Sequence, residues 1–576
     1  MSGMPGASGA SGAAKGGAGA TPGPEQAGSA AAGANGSGSP SGGSGNSPSN
    51  SDPEATCIGT DLTATKRIVR LSFNQLANSI GSLVSKALTT KLIADNDVLD
   101  LQHRAFPPLQ SPREGNSITD ATWKTLDSMA AEAGKYVFDN FASVTQCGDA
   151  PTDACAQQYL LRLAEKAYRR PPTSAEQARI TTLYSTALKA DAGATIQEAV
   201  QYSVYAVLQA PQFAYRTEFG SDWKVDGPLT GNEMASLLAY FLTDDLPDRE
   251  LLDAAAQNKL SSPADVGMQV DRIVKSDAAK NNLHGAMMSY FAYPQLESVK
   301  IDDAVFTEGL RNSMYHEAEL FLQRTLWSGK LTDILLAKES VMNASLAQIY
   351  GIKDFPRAGS PVDADGFGLV SLPSTRMGLL TQAGFLTTRS RPDKTSVVGR
   401  GLLIKNALLC SETPPPPDSI ADKIAEVTNA NPDASERELA NIRASMQPCL
   451  GCHSTFDAYG LAVDTYDVIG RYRTQDSHGR PIDTTVTLPV QVGGGTAKDA
   501  LEVAQSIAAS GGFAKCMGRN LINYALADVS AGAADIDSCA TLHVADAFAK
   551  TDQSFSSLIK SVATSLTLAN RTKGAQ

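Results

Sequence analysis

Residues 449–473 read Cys449-Leu450-Gly451-Cys452-His453, then STFDAYGLAVDTYDVIG, then Arg471-Tyr472-Arg473. The first five form a C-x-x-C-H, the attachment signature of a c-type haem. Two thiols can add to the two porphyrin vinyl groups. Gly451 is expected to let the backbone curl so that both sulfurs reach one edge of the ring. The imidazole of His453 then stands where it can bind iron as the proximal ligand. This reading predicts one covalent haem c on Cys449, Cys452 and His453, held by a small helical module.

Two other chemistries use a C-x-x-C. A zinc site needs a fourth ligand and usually a second C-x-x-C, and the other six cysteines of the chain stand singly. A dithiol redox pair opens a helix after a β-strand. Here Gln447-Pro448 precede the motif, behind a helical stretch.

The chain has 576 residues, 42% of them hydrophobic, and a net charge of −12. That is length for several domains with substantial cores. No basic block or stripe appears, so nucleic acid is not an expected partner. No apolar run approaches the ~18 residues needed to cross a bilayer.

With Cys449 and Cys452 assigned to haem, six cysteines remain: Cys57, Cys147, Cys155, Cys410, Cys516 and Cys539. Short loops suggest Cys147 with Cys155 and Cys516 with Cys539, which leaves Cys57 with Cys410. Free buried thiols are the alternative. Disulfides and covalent haem both favour an exported, oxidising compartment: periplasmic, outer-membrane-attached or extracellular. Residues 1–53 are almost all Gly, Ser, Ala, Pro and Asn, with Lys15, Glu25 and Asp52 as their only charges. Such a segment is expected to be a disordered tether. It lacks the apolar core of a signal peptide. The expectation is therefore that the true start lies upstream of Met1, or that a signal was removed, with a lipid anchor as one form of attachment.

Beyond the tether the pattern is helical. Leu71–Ile93 and Cys155–Tyr168 are amphipathic, and the second stops at Pro171-Pro172. Thr173 with Glu176, and Thr230 with Glu233, read as capping boxes. Ser262-Pro263 starts another helix. Phe306–Trp327 is long; its His316, Glu317 and Glu319 read as a solvated or core-edge set. Met377–Leu386 and Val397–Leu409 follow, then a polyproline run at 413–417 and a polar connector at 418–435. A short helix near Glu436–Met446 leads into the motif. Pro481–Val492, closed by Gly493-Gly494-Gly495, suggests a small hairpin. Three helical stretches end the chain, at about 497–510, 514–527 and 536–566.

Four blocks together resemble a known group. They are Ala167-Tyr168-Arg169-Arg170-Pro171 with Glu176; Leu237–Glu250; Arg376–Gln382 with Ser396–Gly401; and Cys449–Arg473. The chain resembles multidomain exported proteins of planctomycetes and myxobacteria, built from the DUF1587, DUF1595, DUF1592, DUF1588 and DUF1585 series around a cytochrome-c-like module. Ala458, Leu461 and Asp464 replace the usual proline, phenylalanine and glutamate, and Tyr524–Asp528 departs from the usual YALGR. The resemblance implies a mainly α chain of several small helical domains around that module. The expected order is a disordered tether (1–53), an N-terminal helical domain (54–145), a DUF1595-like domain (146–220), a DUF1592-like domain (221–355), the DUF1588-like cytochrome-c-like domain (370–475) and a DUF1585-like helical domain (495–570).

Around the motif, Asp457, Asp464 and Asp467 are candidates to cap turns or neutralise Arg471 and Arg473. The two arginines are also candidates for a haem propionate. Tyr459, Tyr466 and Tyr472 are placed to pack on the macrocycle or in the core. The sixth iron ligand stays open between His478, Met517 and Met446. A filled position makes an electron carrier and an open one allows haem-dependent oxidoreductase chemistry. The expected function is single-electron transfer with a redox protein partner. The alternative is a cell-surface binding or scaffold protein in which the site is structural, holding haem or zinc. No hydrolase motif is present.

Overall fold

The computed structural model describes residues 68–95 and 119–571, except 191, 223, 357–360, 412, 414–425, 428, 448 and 528–537. The expected tether and most of the polyproline run lie outside them. The fold is mainly α. Its helices begin as their sequences dictate: Thr173 and Thr230 each accept from the backbone N–H three residues on, and Glu176 and Glu233 return the bond. Ser262 caps a helix with Pro263 in its first turn.

The first layer comprises α1 (Phe73–Leu83), α2 (Lys86–Asp95), α3 (Asp120–Asp139), α4 (Asp153–Ala167), α5 (Ser174–Ala187) and α6 (Ile196–Gln209). These share one hydrophobic core, closed by Tyr240. The expected single helix over Leu71–Ile93 is two helices, because the chain turns between Leu83 and Lys86.

A second, continuous core takes in everything that follows. It is built from α7 (Gly231–Thr243), α8 (Arg249–Ala256), α9 (Pro263–Ile273), α10 (Asp277–Tyr290), α11 (Glu308–Ser328), α12 (Val397–Leu409), α13 (Glu436–Ser445) and α14 (Cys449–Ala462). It is completed by α15 (Ala500–Ala509), α16 (Gly512–Leu526), α17 (Cys539–Ala549) and α18 (Phe555–Ala563). Short antiparallel strand pairs stitch the surface, among them Glu339–Met342 with Gly368–Ser371. Val486–Thr487 pairs with Thr496–Ala497 across the three glycines, all at positive φ. Two further expectations fail. Met377–Leu386 is a 3₁₀ turn (Leu379–Thr381) and a short helix (Ala383–Thr387), because Gly378 adopts φ +53° where its backbone meets Leu335. The last stretch is two helices, α17 and α18, since Gln553 turns to φ +59° and Ser554 caps a new start.

Three arginines from two of the family blocks hold backbone carbonyls. Arg169 donates to the carbonyls of Ala167, Gln212, Phe213 and Tyr215. Arg376 donates to Thr381 and Gly470. Arg400 clamps Leu386, Tyr466 and Asp467. Each guanidinium supplies five donors in a rigid fork, which suits several carbonyls at once.

Glu317, expected at the core edge, is 1% exposed. Ser340 and Tyr350 hydroxyls donate to its two oxygens, at 2.7 and 2.8 Å. Burial raises its pKa from 4.5 to about 7. The folded chain therefore binds more protons than the unfolded chain between these values. This contribution to stability is complete below about pH 4.5 and is lost as pH rises to about 7, on the order of 3 kcal/mol. Glu317→Gln keeps an acceptor for one hydroxyl and is expected to remove that pH dependence. Urea midpoints of both proteins between pH 5 and 7.5 check it; parallel curves would rule the assignment out.

Candidate haem-attachment site

The motif opens α14. The helix is regular from Cys449 onward, so the two thiols come together through the i, i+3 spacing of one helical face. The expected curl at Gly451 is not needed: its backbone is helical, and a Cβ there would meet nothing within 4 Å. Cys449 and Cys452 are free and half-exposed. Every other cysteine among the described residues is disulfide-bonded.

Cys147 pairs with Cys155 as expected. Cys516, however, pairs with Cys410 rather than Cys539. This also removes the pairing of Cys57 with Cys410. The reason is helix packing. The first turn of α16 lies against the C-cap of α12, while α17 departs with Cys539, itself disulfide-bonded. Cys57 lies outside the described residues.

His453 is held from one side. Its Nδ1 lies 3.0 and 3.1 Å from the two oxygens of Asp457, one helical turn on. A carboxylate only accepts, so Nδ1 carries the proton and donates it, which leaves the Nε2 lone pair available. Arg443 of α13 donates through Nε to Asp457 at 3.4 Å. Its Nη2 is buried and has no hydrogen-bond partner among the described residues. The Phe456 ring supports the imidazole at 4.9 Å. Asp457 itself is 7% exposed. Helices α13 and α14 form a hairpin, and α12 crosses the other side of α14 at two glycines, Gly401 and Gly460.

The other candidates are placed differently. Arg471 pairs with Asp467 and Asp303, and Arg473 with Asp464. Both arginines therefore take the ion-pair role. Tyr459 and Tyr466 are core residues, each 1% exposed, while Tyr472 is exposed and stacks edge-on against Tyr466. Met517 is fully buried within the main core. His478 is exposed, 3.6 Å from Asp433. Met446 is the half-buried C-cap of α13.

These residues fit a c-type haem. They supply two unpaired thiols on one helical turn, an imidazole with its second nitrogen already tethered, and an unsatisfied guanidinium N–H suited to a propionate. They fit zinc poorly, because among the described residues no three His, Cys, Asp or Glu side chains are grouped to hold an ion. Asp457 was legible as a capping residue but not as the partner of His453. Its i+4 spacing on a helix is the signal that would have found it.

Residues 155–218 match a family described as a protein of unknown function, DUF1595; residues 229–352 match DUF1592 and residues 376–476 match DUF1588, both described in the same words. The third contains the C-x-x-C-H. No curated protein and no solved structure matches the chain.

Proposed function

For a chain that belongs to the multidomain DUF1595, DUF1592 and DUF1588 series, we propose an exported c-type haem protein that passes single electrons to and from a redox partner protein. The observation that carries this reading is the contrast among cysteines: only Cys449 and Cys452 are left free among the described residues, next to an imidazole whose Nδ1 is already engaged. A haem bound there would supply a one-electron iron couple. The chain's own groups do the rest. Cys449 and Cys452 anchor it, His453 offers Nε2, Asp457 fixes the ring and its tautomer, and Arg443 restrains Asp457. The disulfides favour a compartment outside the cytoplasm. Among the described residues no helix is long and apolar enough to cross a membrane.

A reduced pyridine haemochrome spectrum on protein matured in a host with c-type assembly tests attachment. Intact mass then tests the sulfurs. An unmodified mass refutes the proposal. A redox titration separates carrier from scaffold, since a haem that does not cycle reversibly fails the electron-transfer reading.

Asp457 should set the potential. Its negative charge on the Nδ1–H makes the imidazole a stronger donor and favours the oxidised iron. Asp457→Asn is expected to raise the midpoint by roughly 60–120 mV, the equivalent of a 10–100-fold effect on a one-electron couple. An unchanged midpoint would show that Asp457 only positions the helix.

A further inference from the structure

A cavity adjoins the helix that carries the motif. It has a volume of about 1000 Å³ and lies where α12, α14, α16 and α17 converge. Its lining includes Lys405, Leu409, Thr455, Tyr459, Ala514 and Phe548, and includes neither thiol of the motif nor His453. The size is at the upper end for small-molecule pockets.

The unusual wall residue is Lys405. It stands in the apolar run Gly401–Leu409 and is 6% exposed. Its ammonium donates to Thr413 Oγ1 at 2.7 Å and to Thr455 Oγ1 at 3.0 Å. Both acceptors are neutral, and among the described residues no carboxylate reaches it. An ammonium has three donors, so among the described residues one N–H and the charge are left without a partner. A buried charge without a counterion is unfavourable unless something else completes the site. The titratable group facing it is the Cys452 thiol, and a sulfur in a thioether carries no negative charge. The first turn of α16 adds to the positive field. Its N-cap, Gly511, brings no side-chain acceptor, and Gly511, Gly512 and Ala514 all line the cavity.

We propose that this cavity binds an amphipathic organic anion, with a carboxylate on Lys405 and an apolar body against Leu409, Tyr459 and Phe548. The inference goes beyond the haem reading and rests on it only in taking the Cys452 sulfur as a neutral thioether; attachment is read separately, by haemochrome and intact mass, so the two can fail independently.

Isothermal titration calorimetry of the full-length, host-matured protein tests it, with 2-naphthoate as probe and 2-naphthalenemethanol as its neutral counterpart. Naphthoate is expected to bind at one site with a Kd below about 1 mM. Lys405→Met preserves length and packing and is expected to weaken naphthoate at least about tenfold while leaving the alcohol within about twofold. Ala514→Trp fills the cavity without touching Lys405 and is expected to abolish both. Absence of saturable naphthoate binding overturns the proposal. So does naphthoate binding that Lys405→Met leaves within about twofold.

Discussion

From a host with c-type haem assembly, the unmutated protein is expected to purify red and protein carrying both Cys449→Ser and Cys452→Ser colourless. Thioether formation needs thiols, and serine supplies none. The fold should survive the change. Both side chains are half-exposed, and neither forms a disulfide. Circular dichroism should therefore retain its helical signal. The informative control is a disulfide-bonded pair of the main core. Cys410→Ser with Cys516→Ser opens a link between residues 106 apart in sequence, both buried in the main core. That variant should keep its haem and lose on the order of 4–5 kcal/mol, the scale for a loop of about 100 residues. Equal haem content in the first variant and the unmutated protein would sink the attachment site.

Gly460→Ala should cost about 3 kcal/mol or more. At Gly460 the backbone of α14 meets α12 directly: an added Cβ would lie 1.9 Å from the Val397 carbonyl oxygen and 2.6 Å from its carbon. Backbone cannot swing aside as a long side chain can, so the helices must separate and the core between them loosens. Gly401 faces the same crossing from the other side, where an added Cβ would lie 2.3 Å from the Phe456 oxygen. The same helix provides its own control. Gly451→Ala points into open space, and removing a helical glycine there should stabilise by up to about 1 kcal/mol. Urea denaturation of the two variants should move the midpoint in opposite directions. A destabilisation below about 1 kcal/mol for Gly460→Ala would mean that the crossing is looser than described.

Glycine was visible at both crossing positions within the family blocks, but its cause was not. The same holds for Arg376 and Arg400. They were legible as signature residues and illegible as carbonyl clamps, because the carbonyls they bind come from segments up to 94 residues away. Lys405 carried a signal of its own, a lone cation in an apolar helical run. Glu317 looked like one more polar residue on a long helix. Its burial follows from the strand Glu339–Met342 and Tyr350 closing over it.

By itself the sequence determined where most helices begin, that the chain is mainly α, and which five residues form the C-x-x-C-H motif. Those features rest on contacts within one or two turns, where hydroxyl caps, proline and thiol spacing act without help from the rest of the chain. Only the tertiary structure decided that Cys410 meets Cys516, that Asp457 and Arg443 hold His453, and that Lys405 faces a cavity with no carboxylate of the described residues in reach. These depend on which helix faces come together, and that choice is made by burial of apolar surface across the whole core rather than by any local pattern.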